Sequence, residues 1–127
     1  MSEKITITAG KVMVDAELNE SQTAKAIAEA LPIQAKAQRW GGEIYFSIGV
    51  SCELQADSRE VMEAGELGYW PPGTAFCIFF GPTPASQGDE IRAASVVNIV
   101  GKMKGDWSEL WDVPDGADVC VEKKTPR

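Results

Sequence analysis

The stretch Gly65–Pro84, GELGYWPPGTAFCIFFGPTP, constrains the fold of this chain more than any other. Two apolar runs flank Pro71-Pro72-Gly73, and a second break, Gly81-Pro82-Thr83-Pro84, closes the segment. Proline followed by glycine is turn chemistry, because proline presets one φ and glycine accepts the other. Leu67–Trp70 and Thr74–Phe80 therefore read as antiparallel strands joined by a tight corner. The second run is apolar at nearly every position, so both of its faces are expected to be buried. This is a central strand, with Phe76, Ile78, Phe80, Cys77 and Phe79 as core candidates.

The rest of the chain supplies partners for that strand. Ile5–Thr8 and Val12–Ala16 alternate apolar and polar residues across Ala9-Gly10, which is a hairpin pattern with Ile5, Ile7, Val12 and Val14 inward. Asn19 and Gln22 have capping-box spacing, and the helix they predict runs over Thr23–Leu31. Its apolar stripe is Ala24, Ile27, Ala28 and Leu31, with Lys25 and Glu29 outward. Pro32 ends it. Ile33–Trp40 and Glu43–Val50 form a second predicted hairpin about Gly41-Gly42, with Ile44, Phe46, Ile48 and Val50 on one face and Tyr45 and Ser47 on the other.

Ser51–Ala64 and Ala85–Ala94 read as polar loops. Asp57, Glu60, Glu63 and Glu66 recur every three residues, a spacing expected of a solvated turn or short helix face. Ser95–Met103 is a further strand. Asp106 predicts the cap of a single helical turn anchored by Trp107, Leu110 and Trp111, and Ala117–Glu122 is the last strand. Lys123–Arg127 is expected to fray. Strands that come in hairpins, without alternating helices, predict a mostly β fold: a closed, eight-stranded antiparallel barrel with one long and one short capping helix. Residues 1–127 are expected to form one domain.

Composition narrows function by exclusion. The chain has no histidine, which removes the commonest general base, the Ser–His and Cys–His nucleophile pairs and most zinc sites. Cys52, Cys77 and Cys120 are odd in number and widely spaced, and each reads as a reduced thiol within a strand-like segment. No cofactor or metal is expected. Asp112, Asp115 and Asp118 do not have the spacing of a calcium loop. The net charge of −7 disfavours nucleic acid and anionic membrane as partners. The longest apolar run, Ala75–Phe80, is far too short to span a bilayer. The polar opening MSEKITIT is not a signal peptide, so a cytoplasmic location is expected.

The segments RWGGEIYF, GELGYWPPGTAFCIFFGPTP and NIVGKM, in this order, resemble the small prokaryotic cyclophilin-like family over nearly the whole chain. The resemblance implies a cyclophilin-type barrel with a binding face on its outside. In prolyl isomerases of this shape an arginine polarises the prolyl amide, whose rotation barrier is about 18–20 kcal/mol. The resemblance places Arg39 at that arginine and Tyr45 or Phe46 at the apolar floor. Ala75 or Phe76 stands where the isomerases carry glutamine, Cys77 or Ile78 where they carry phenylalanine, and Val97 or Asn98 nearest their histidine.

The expected binding residues are thus Arg39, Trp40, Tyr45, Phe46, Tyr69 and Trp70, an apolar groove with one cation. Against this stand structural roles: Phe46 and Trp70 as core fillers, and Arg39 stacked on Trp40 for packing alone. The reading is a non-enzymatic module that binds a peptide or small ligand. The alternative is a weak prolyl isomerase using Arg39. Tyr69 and Trp70 also offer a patch for a homodimer.

Overall fold

The computed structural model describes residues 3–124. Its strands are β1 (Glu3–Ala9), β2 (Val12–Leu18), β3 (Ile33–Lys36), β4 (Gln38–Arg39), β5 (Glu43–Ser47), β6 (Arg59–Met62), β7 (Glu66–Trp70), β8 (Ala75–Phe79), β9 (Ile91–Lys104) and β10 (Asp118–Lys123). The helix α1 covers Gln22–Ala30, and 3-10 turns cover Pro71–Gly73 and Ser108–Asp112. Every strand pairing is antiparallel.

The strands follow the order β3-β10-β1-β2-β9-β7-β8-β5-β4, with β6 attached to β9 alone. Among the described residues the expected eight strands are ten, and hydrogen bonds do not close the sheet into a cylinder. The two ends of the path, β3 and β4, are consecutive in sequence and separated only by Ala37. Ala37 stays with the β10 side: its N–H donates to Ala117 O at 2.8 Å and its carbonyl accepts from Gly116 N at 2.7 Å. The expected single strand Ile33–Trp40 is therefore two: β3 pairs with β10, and only β4 forms the hairpin with β5.

The central strand is β8. Each of its five residues is buried, and it lies between β7 and β5. Phe76 and Ile78 face an inner core with Ile44, Phe46, Leu67, Tyr69 and Val100. Ala75, Cys77 and Phe79 face a second cluster with Met62, Ile91, Ala93 and Val97. That second cluster exists because β9 is 14 residues long. Its later part pairs with β2 and β7, whereas its first residues pair with β6 and bring Ile91, Ala93 and Val97 over the outer face of β8.

Neither β6 nor the start of β9 was expected, because Arg59–Met62 and Ile91–Ala94 sit in charged, glycine-containing sequence. The acidic period dissolves within them: Arg59 forks onto both oxygens of Glu66 at 2.8 and 2.7 Å, and Glu60 pairs with Arg92 at 2.6 Å. Gly68 is needed where this flap closes, since a Cβ there would stand 2.9 Å from Val97 Cγ2 and 3.1 Å from Phe79 Cε2.

The helix is capped by Ser21 rather than Asn19; Ser21 Oγ accepts from Ala24 N at 3.1 Å. Asn19 instead accepts from Ser21 N and donates to Ile99 O, which ties the helix entry to β9. Thr23, Ala24 and Ile27 are buried, Lys25 and Glu29 are exposed, and Leu31 is half-buried. The second expected helix is the 3-10 turn Ser108–Asp112, with Leu110 fully buried and Trp107 packed on the inner core. Asp106 does not cap it as expected: the cap residue is Trp107, and Asp106 lies one residue earlier, accepting from Ser108 N at 2.9 Å. The expected fray begins too early: Lys123 closes β10, and Lys124 N donates to Lys4 O at 3.0 Å. Residues 125–127 of that tail lie outside the described residues. No helix among the described residues is long and apolar enough to cross a membrane.

The two buried faces of β8 make independent demands on stability. Ile78→Ala empties a site in the inner core and Phe79→Ala one in the outer cluster, each at about 2–5 kcal/mol. Both variants are expected to lower the chemical-denaturation midpoint strongly; an unmoved midpoint for either would show that its face is not packed as described.

Candidate binding site

The Gly41-Gly42 turn places the site. Trp40 N donates to Glu43 O at 2.9 Å and Glu43 N to Trp40 O at 3.2 Å, which closes a two-residue hairpin. The turn is clasped from above: Gly42 N donates to Pro82 O at 2.7 Å, and Gly42 O accepts from Phe80 N and Gly81 N at 2.8 and 3.0 Å. Any side chain at position 42 would collide with this clasp, since its Cβ would lie 2.3 Å from the Gly81 carbonyl carbon. The clasp fixes the start of β5, and with it Glu43.

Alternation along β5 sends Ile44 and Phe46 inward and Glu43 and Tyr45 outward. The outward side is not solvent. Tyr45 is paired with Cys77 and Glu43 with Phe79, both on the buried outer face of β8. Glu43 is only 5% exposed. Here the structure opens a pocket of about 250 Å³ lined by Trp40, Glu43, Tyr45, Trp70, Cys77, Ala93, Ala94 and Val97. Trp70 is held by its indole Nε1, which donates to Ser95 Oγ at 2.6 Å.

Burial pushes the Glu43 carboxyl up to about 7, because the charged form loses its hydration; a hydrogen bond from the Cys77 thiol opposes this. Burial, and then the neighbouring Glu43, pushes the Cys77 thiol well above its ordinary range. Cys77 is therefore a poor nucleophile. A carboxyl poised near neutrality in an aromatic-walled cavity is the chemical feature of this face.

The six expected binding residues divide into three groups. Trp40, Tyr45 and Trp70 come together in the pocket. Phe46 and Tyr69 are inner-core residues, 1% and 0% exposed. Tyr69 OH donates to Val50 O and accepts from Cys52 N. With Tyr69 buried and Trp70 tied to Ser95, these two make no exposed apolar patch.

Arg39 is turned away from the pocket. Its Nη1 donates to Val113 O and Trp111 O at 2.6 and 3.3 Å, and its Nη2 to Gly41 O at 2.8 Å. The guanidinium lies 5.4 Å from the Phe80 ring centre and 5.8 Å from that of Trp111, so it stacks on these rings rather than on Trp40. Phe80 and Trp111 themselves meet edge to face at 4.9 Å. Arg39 thus latches the Ser108–Asp112 turn to the β4–β5 hairpin.

Glu43, Cys77, Ala93, Ala94 and Val97 line the pocket but were not among the expected binding residues. A signal for Glu43 was present: it shares the outer face of β5 with Tyr45, beside a strand that reads as buried on both faces. The remaining positions singled out earlier have structural roles. Asn98, one of the two nearest the isomerase histidine, is fully buried; it donates to Thr23 Oγ1 and Glu53 O and accepts from Gln55 N at 3.0, 2.9 and 2.7 Å. Its partners Thr23, Glu53 and Gln55 line a larger polar cleft at Ser21–Thr23 and Cys52–Asp57. Asp115 accepts from Arg39 N, and Asp118 pairs with Lys36. Among the described residues, no group of three or more acidic or thiol side chains converges as a metal site.

A family described as Cyclophilin-like matches residues 3–122. The chain belongs to this cyclophilin-like family. It is also similar to a hypothetical protein of Archaeoglobus fulgidus whose solution structure is known, at 41% identity and a TM-score of 0.84, over 97% of this chain and 95% of that one. Among curated proteins there is no match. The cyclophilin-like kinship carries a fold without an activity, so function has to be argued from the pocket.

Two outcomes follow from Glu43 and Cys77. A carboxyl whose folded value is raised favours the folded state at low pH, and that contribution is lost as pH rises from about 4.5 to about 7. Glu43→Gln removes the penalty. The variant is expected to match the parent near pH 4.5 and to exceed it at pH 8 by up to roughly 3 kcal/mol, read from urea unfolding at both pH values. Equal stability gaps at the two pH values would rule out a buried, titrating Glu43. Separately, Cys77 is expected to alkylate last of the three thiols with iodoacetamide under native conditions, since Cys52 and Cys120 are only half-buried.

Proposed function

We propose that this chain is a non-enzymatic binding module that takes a small ligand, or one side chain of a peptide, into the pocket between Trp40, Tyr45 and Trp70. The observation that carries the reading is the pocket itself. Three partly exposed aromatic residues and one buried carboxyl meet on the outer face of the sheet. Small-molecule sites are of this kind, apolar concavities with few polar groups. The walls are also preformed: the glycine clasp holds Trp40 and Glu43, and Ser95 holds Trp70. A site that does not reorganise spares its ligand that cost.

An isomerase acting through Arg39 would need a guanidinium N–H pointing at a prolyl amide. Both terminal nitrogens of Arg39 are engaged with main-chain carbonyls on the far side of the hairpin. The reading therefore assigns Arg39 to stability and ligand capture to the pocket.

Fragment screening by amide NMR tests this reading. Shifts are expected to concentrate at Tyr45, Trp70, Cys77, Ala93 and Val97 and to fade in Trp40→Ala. Shifts confined to the Cys52–Asp57 cleft would move the site elsewhere. In a protease-coupled prolyl assay the parent chain is expected to leave the uncatalysed rate, tens to hundreds of seconds, unchanged. Turnover that vanishes in Arg39→Ala would overturn the non-enzymatic reading.

A further inference from the structure

The charge and lining of the pocket indicate a ligand class. Resting on the reading of this pocket as a binding site, we propose that its ligand carries an alkylated ammonium group, seated among Trp40, Tyr45 and Trp70 with the Glu43 carboxylate as counter-ion.

Charge complementarity is the first argument. Of the residues lining the pocket, one is acidic and none is basic. The groups that face Glu43 and can titrate are Tyr45 on its own strand and Cys77 on β8; β7 contributes Trp70, and β9 contributes Ala93, Ala94 and Val97. The nearby cations are engaged elsewhere. Arg59 is forked onto Glu66, Arg92 is held by Glu60 and Glu90, and Arg39 is spent on carbonyls. An ionised carboxylate with little water and no cation is costly, and a bound cation supplies the missing partner. An anionic ligand would meet repulsion at the same place.

The walls give the second argument. Aromatic faces carry negative charge density and attract cations, tryptophan most strongly. Trp70 has already committed its N–H to Ser95, so what it offers a ligand is ring surface rather than a donor.

The supply of acceptors separates an alkylated ammonium from a primary one. A primary ammonium brings three donors that need acceptors. Of the side chains lining the pocket, Glu43 is the only charged acceptor and the Tyr45 hydroxyl the only other oxygen; the tryptophan N–H groups donate, and the two alanines and Val97 are apolar. Alkyl groups remove the excess donors and pack against the apolar wall.

One consequence is measurable without any variant. Burial raises the Glu43 carboxyl to about 7, so at that pH part of the population carries a proton there. A cation binds the ionised form, so binding at pH 7 is expected to expel a fraction of a proton per site.

The test is calorimetric titration of the full chain with choline and with its uncharged isostere 3,3-dimethylbutan-1-ol, at pH 7 in phosphate and in Tris. Choline is expected to bind at least about tenfold more tightly than the isostere. Its enthalpy should differ between the buffers by the proton released, and its affinity should rise from pH 5.5 to 8.5. Glu43→Gln should weaken choline by about tenfold or more and spare the isostere. If the isostere binds as well as choline, or choline binds without proton release, the ammonium proposal falls while the pocket stands. If neither binds, the ammonium proposal falls with them, and the fragment screen decides the fate of the pocket. If Glu43→Gln fails to fold, the buffer and pH dependence of the parent chain decide the matter alone.

Discussion

Burial of β8 on both of its faces is the constraint on which the other elements depend. A five-residue strand with Phe76 and Ile78 on one side and Ala75, Cys77 and Phe79 on the other cannot lie at the surface of a two-layer fold. The inner side is satisfied by the rolled sheet and α1. The outer side needs a further cover, and the chain supplies it by extending β9 to 14 residues and adding β6. The pocket is where that cover stops. Trp40, Tyr45 and Trp70 stand at its margin, half covered, and Glu43 is enclosed because its strand neighbours are.

Much of this was legible in the residues. The two-sided apolar pattern of TAFCIFF identified the central strand, and Gly41-Gly42 identified the hairpin turn. What was not legible has a common physical origin. β6 and the start of β9 are short or charged, and they are strands because a neighbour needs hydrogen-bond partners and a cover; their own patterning is weak. Glu43 was hidden for the same reason, since a carboxylate on a strand is ordinarily taken for solvent-facing. The helix cap moved from Asn19 to Ser21 because Asn19 is used in a long-range contact with β9, which local spacing cannot reveal.

Arg39 illustrates how a resemblance and a geometry can part. Its position late in a strand before a turn matches that of an isomerase arginine, yet both of its terminal nitrogens close onto carbonyls of Gly41, Trp111 and Val113. The same side chain that would polarise a substrate amide is here used to staple a 3-10 turn to a hairpin. That staple lies beside the glycine clasp that orients Glu43. Arg39 therefore bears on the pocket through the rigidity of the hairpin.

The meeting of β3 and β4 at Ala37 has a consequence for how these molecules behave in a crowd. Open sheets carry unpaired backbone at their margins, which can recruit strands from other chains and seed aggregates. Here both ends of the strand path fall within one short run of chain, four residues on one side of Ala37 and two on the other. Pro32 precedes the first, and Lys36 and Arg39 place charge on each. At these two ends a foreign strand would find only four and two residues of main chain to template on.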